Sequence, residues 1–107
     1  MYNFDEILDG LEDEKQWVIF VRQSHQKATE SQYQLSIELA QKALELNPRS
    51  TEAYCLIGNA YEKLAEEQEA TGNHKQTRKF YNKAKDAWNK AEEINPDIVI
   101  PDFDEYD

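Results

Sequence analysis

Few side chains in this sequence have the type and spacing that would let them make or break a bond. His25 and His74 stand apart from any His-Glu-x-x-His run, or His-x-Glu with Cys-x-x-Cys, the spacings a zinc site requires. Both read as surface histidines, and no metal ligands are assigned. Cys55 has no basic neighbour in sequence to hold it as a thiolate, which predicts an inert, packed thiol. The three glycines never fall in a Gly-x-x-x-x-Gly-Lys frame, so no loop is built to cradle phosphate. Without a nucleophile and base, a metal set or a cofactor motif, the expectation is no catalytic residues, no cofactor and no enzymatic activity.

The chemistry that remains is charge. Lys75, Arg78, Lys79, Lys83, Lys85 and Lys90 form the one positive concentration, and Lys75, Lys79 and Lys83 share a stripe at i+4 spacing. Glu62, Glu66, Glu67 and Glu69 precede them across a turn. The two runs should either neutralise each other along an outer edge or leave a stripe facing an acidic partner. Over the whole chain 12 bases meet 22 acids, a formal charge of -10. The acids crowd both ends: residues 1–14 carry Asp5, Glu6, Asp9, Glu12, Asp13 and Glu14, and residues 97–107 carry Asp97, Asp102, Asp104, Glu105 and Asp107. That balance disfavours nucleic acid as a partner, because affinity there rests on basic contacts to phosphate.

Charged residues must be held by something, and 107 residues allow one domain. A chain of that size buries only about 65% of the surface it exposes when unfolded, a modest core. With 39% apolar and 32% charged residues, and three glycines and three prolines, the composition is neither collagen-like nor that of a disordered chain. A lone cysteine rules out an internal disulfide and fits a reducing compartment. No apolar run approaches the ~18 residues of a membrane span, and the first residues do not resemble a secretion signal. The expectation is a small, soluble, cytoplasmic domain with no integral membrane segment, at most peripheral to a membrane complex.

Apolar spacing predicts helices throughout. Phe4, Ile7, Leu8 and Leu11 mark a short helix, opened by Asn3 and Glu6 as a capping box and weakened by Gly10. Trp17, Phe20, Val21, Ser24 and Ala28 mark the next, which breaks near Thr29–Ser31. Ser31 and Gln34 resemble the start of a third, whose inner face carries Leu35, Leu39, Ala43 and Leu46, widened by Ile37, Ala40 and Leu44. Asn47-Pro48 ends it. A helix from Ser50 or Thr51 carries Tyr54, Ile57, Gly58, Tyr61, Leu64 and Ala65, and turns at Thr71-Gly72-Asn73. The last, over about 74–94, turns Phe80, Tyr81, Ala84, Trp88 and Ala91 inward and stops at Asn95-Pro96. No alternating strand pattern appears, so the domain reads as all-α.

Two helix ends repeat: Ala43-Leu44-Glu45-Leu46-Asn47-Pro48 and, 48 residues on, Ala91-Glu92-Glu93-Ile94-Asn95-Pro96. Between them stand Tyr54-x-x-Ile57-Gly58-x-x-Tyr61 and Ala84-x-x-x-Trp88-x-x-Ala91. This resembles the tetratricopeptide repeat, whose pattern W-x2-L-G-x2-Y…A-x3-F…P spans about 34 residues. Here the spacing is roughly 14 residues longer, and the excess lies around Gly72, which predicts about two extra turns on each helix of the hairpin. A degenerate repeat over 17–50 fits through Phe20, Tyr33, Ser36, Ala40, Ala43 and Pro48, but has Gln23, Ser24 and Lys27 where the family has Leu, Gly and Tyr. It should be loosely packed. The organisation implied is an acidic arm or capping helix over 1–14, a helical domain over 15–96 (repeats 17–50 and 51–96), and an acidic extended tail over 97–107. The elongated hairpin is also similar to the last repeat of photosystem I assembly factors of this family.

The resemblance implies a non-enzymatic adaptor, scaffold or assembly factor that takes a partner's peptide or helix in a groove between inner helices. Asn59, directly after Gly58, matches a position that often binds peptide backbone in the family. The Lys that completes a carboxylate clamp is replaced by Cys55, so that clamp is not implied. Glu62 and Glu66 continue the face of Asn59, and Arg22 and His25 are expected opposite. Lys75, Lys79 and Lys83 complete the candidate partner-binding residues. Protein partners are expected and self-association stays open, while an acidic regulator or nucleic-acid mimic acting through the charged ends is the alternative. The tail's Ile98, Val99, Ile100, Phe103 and Tyr106 predict that it docks, with Ile98–Ile100 on the last hairpin and its acids near the basic stripe.

Overall fold

The computed structural model describes residues 15–98, and they form four α-helices joined by short turns, with no strand among them. These are α1 (Gln16–Thr29), α2 (Tyr33–Leu46), α3 (Thr51–Ala70) and α4 (His74–Ile94). The expected helix around Phe4–Leu11 and the tail beyond Ile98 lie outside the described residues.

Local chemistry accounts for the boundaries. Ser50 caps α3 by accepting from the Ala53 N–H at 3.2 Å, and Asn73 caps α4 by accepting from the Gln76 N–H at 3.2 Å. α2 and α4 both end one residue before an Asn-Pro pair. α1 and α3 end in the same reversal. Gly72 has φ +81, with its N–H donating to the Glu69 carbonyl at 3.0 Å and the Asn73 N–H donating to the Gln68 carbonyl at 3.1 Å. Ser31 repeats that geometry at φ 63, bonding Ala28 at 3.1 Å while the Gln32 N–H reaches Lys27 at 2.9 Å. Ser31 therefore terminates α1. It does not open α2, whose N-cap is Gln32 and receives no side-chain cap.

α1 and α2 run 14 residues each, whereas α3 and α4 run 20 and 21. The surplus is helical on both sides of Gly72, so the long spacing in sequence is a longer hairpin and not a loop. α3 packs against all three other helices and is the centre of the array. Its Ala53, Leu56 and Ile57 join Val21, Ala40, Ala43 and Ala87 in one core cluster. Cys55 and Ala65 join Tyr81, Ala84, Trp88, Ala91 and Ile98 in a second.

The inner face of α2 differs from the expected one. Ser36, Ile37, Ala40 and Ala43 are buried, while Leu35 and Leu46 are 37% and 55% exposed. Small residues occupy the seam because the helices approach closely there, and the leucines are displaced to its margins.

Candidate functional site

The long hairpin is held where Gly58 meets Trp88. A Cβ at residue 58 would lie 2.5 Å from the indole Nε1 and 2.6 Å from Cδ1, so only glycine lets the ring lie flat on α3. Trp88 is 6% exposed, and its N–H finds no acceptor among the described residues. In the first hairpin Ser24, 34 residues before Gly58, stands where Gly58 stands, and Ser36, 48 residues before Ala84, stands where Ala84 stands. Both serines are buried, and the Ser24 hydroxyl donates to the Ser36 carbonyl at 2.7 Å and lies 3.0 Å from the Ser36 hydroxyl. Polar groups in a seam cost stability unless bonded to each other, and these are. The first hairpin is thus closely packed here, contrary to the loose packing expected of it.

That register sets the position of the candidate groove. His25 follows Ser24 on α1, Asn59 follows Gly58 on α3, and the two helices touch. His25, Asn59, Arg22 and Glu62 are all partly buried, and Glu66 is exposed one turn beyond Glu62. Burial pushes the Glu62 carboxyl above its ordinary range, the Glu66 carboxylate pushes it further, and Lys63 acts the other way. Lys63 is itself held by Glu66 at 3.5 Å. Cys55, one turn before Asn59, is fully buried, and burial with the charge of Glu52 pushes its thiol up to about 12. It is therefore protonated and packed, and offers no ligand to the groove.

The basic stripe is divided differently from the expectation. Lys75 and Lys79 line an open recess of about 510 Å³ together with His74, Arg78 and Asn82. Lys83 instead lies over the Tyr61 ring, 5.4 Å from its centroid, and that ring stacks on Phe80 at 5.9 Å. Lys83 thus clamps the hairpin. The ion pairs Lys63–Glu66 and Lys90–Glu93 each lie within one helix and Lys27–Glu30 joins α1 to its cap, so none of these three links α3 to α4. Lys75, Arg78 and Lys79 take no part in neutralisation across the hairpin among the described residues. Sequence reading set His74 aside as a lone histidine and left Asn82 out. The signal was present, since 74, 78 and 82 share one stripe at i+4 spacing beside 75 and 79.

Repeat spacing, the close approach at Gly58 and the proline stops now stand together. A family model described as a tetratricopeptide repeat matches residues 39–72. The match runs from the middle of α2 through α3 to Gly72, the half-hairpins on either side of Pro48. The fold is accordingly an all-α, tetratricopeptide-like helical array. No curated protein and no solved structure matches the chain. No helix among the described residues is long and apolar enough to cross a membrane.

Proposed function

We propose that this chain is a non-enzymatic adaptor or assembly factor that binds a peptide or helix of a partner protein along α1 and α3. The tetratricopeptide match points to an interaction module of this general kind. The observation that carries the reading further is the 34-residue register of His25 and Asn59 on adjacent helices. Successive repeats in such an array present equivalent positions along one concave surface. Asn59 supplies an amide that both donates and accepts, which suits peptide backbone. Arg22 and His25 supply donors, and Glu62 and Glu66 select for basic or donor-rich partner side chains. A version of the reading specific to a photosynthetic complex rests on the elongated hairpin alone.

The test is capture of partners by the full chain, followed by the same capture with Asn59→Ala and with Glu62→Gln/Glu66→Gln. Loss of a partner with unchanged helicity supports the groove. Partners retained by both variants, and released only by changes elsewhere, would move the binding surface off α1 and α3.

A further inference from the structure

We infer that the N-terminal half of α4 is a second docking surface, separate from the α1–α3 groove, and that its occupant is an acidic peptide segment of a partner protein. Among the described residues the recess of about 510 Å³ is lined by His74, Lys75, Arg78, Lys79 and Asn82, a set with three fixed cations and no carboxylate. From Ala70 to Lys85 the chain carries five bases and no acid. Lys75, Arg78 and Lys79 are exposed and pair with no carboxylate among the described residues, although Glu66, Glu67 and Glu69 lie on the preceding helix. The hairpin thus presents cations that its own geometry leaves unanswered.

Their position on the helix sharpens the argument. Cations are disfavoured in the first turns of a helix, where the unpaired backbone N–H groups already concentrate positive potential, and α4 has no acid in its first turn to compensate. An anionic ligand there relieves both the crowded side chains and the helix end. The described lining residues carry their charged or polar ends on aliphatic stems, so an acidic peptide can meet the cations while its own stems pack along theirs. A nucleic acid fits less well. Three cations neutralise few phosphates, and the chain's charge of -10 repels a polyanion of that length more than a short peptide. The acids at 102–107 carry the same chemistry as the proposed ligand and are a built-in competitor.

The experiment uses fluorescence anisotropy of a labelled oligo-glutamate peptide against the full chain. Binding should weaken steeply with salt, since exposed charges are screened over about 10 Å at 0.1 M. Lys75→Glu/Arg78→Glu/Lys79→Glu should weaken it by about tenfold or more, through lost pairs and added repulsion. Lys90→Glu should leave it unchanged. Asp102→Asn/Asp104→Asn/Glu105→Gln/Asp107→Asn should bind as well as the wild type or better. Asn59→Ala should have no effect, which separates this surface from the groove whatever the fate of that reading. Four results would each overturn the inference: undiminished binding by the triple reversal with native helicity, no binding by either the wild type or the tail-neutralised chain, binding only after tail neutralisation, or tighter binding of a single-stranded oligonucleotide at the same recess.

Discussion

Gly58→Ala is the smallest change that tests how the long hairpin is held. The added carbon would sit 2.5 Å from Trp88 Nε1, 2.6 Å from Cδ1 and 2.9 Å from Cε2. All three atoms belong to a rigid ring inside a cluster with Cys55, Ala84 and Ala91. The indole cannot give way by turning its far end, so the helices must part. Overpacking of this kind costs about 1–3 kcal/mol. Alanine's better helix propensity returns roughly 1 kcal/mol in a helix interior. The net expectation is a loss of about 0–2 kcal/mol, which for a domain this size lowers the melting temperature by up to about 16 °C. Trp88→Ala removes all three clashing atoms and sacrifices no hydrogen bond among the described residues. In that background the clash should shrink, and Gly58→Ala should become neutral or stabilising. A thermal or urea double-mutant cycle reads the sign change directly. Equal costs in both backgrounds, or a stabilising Gly58→Ala in the wild type, would refute the contact as the reason glycine stands there.

The two left-handed helix ends give opposite predictions. Ser31→Gly should stabilise by about 0.5–1 kcal/mol and Gly72→Ser should destabilise by about 1 kcal/mol, since both residues have positive φ, Gly72 has open space around it, and Ser31 gives up only a long 3.5 Å contact with the Tyr33 hydroxyl; urea melts of both variants check the signs. Glu62 makes stability depend on pH. A carboxyl whose folded pKa is raised contributes stability that is complete below its unfolded pKa and is lost as pH rises through the folded value. Glu62→Gln should therefore be the more stable protein at neutral pH, with the difference shrinking as the pH falls through the raised folded value and gone below about 4. Parallel stability profiles offset by a constant would show that burial of Glu62 is not the cause.

The exposed cations on α4 have a structural counterpart in Lys83. It belongs to the same i+4 stripe as Lys75 and Lys79, yet it lies on the Tyr61 ring while the other two line the recess. The difference is where the stripe meets α3. A side chain beside an aromatic face on the facing helix gains a partner by leaning inward. Nearer the tip, Lys75 and Lys79 have no such ring beside them among the described residues and line the recess with His74, Arg78 and Asn82 instead.

Much of this arrangement follows from the sequence by itself. Helix ends are chemical statements: Asn-Pro removes the next helical residue, Ser50 and Asn73 supply caps, and Gly72 accepts the left-handed turn, so α3 and α4 could be placed nearly to the residue. The spacing of Gly58, Ala84 and Trp88 made the seam legible, because close approach leaves few residue types to choose from. On α2 the expected face held at Ile37, Ala40 and Ala43 but was drawn too far toward the large residues, for Leu35 and Leu46 are exposed while Ser36 is buried. Only packing decides how near two axes come, and at short separation small side chains win over large ones. The Ser24–Ser36 bond was hidden for the same reason, since two serines 12 positions apart signal nothing until the fold pairs them. Likewise, the sequence showed a basic run beside an acidic one. Which charges meet is set by the relative rotation of two helices, which no local pattern encodes, and only the tertiary structure left Lys75, Arg78 and Lys79 together without an acid among the described residues.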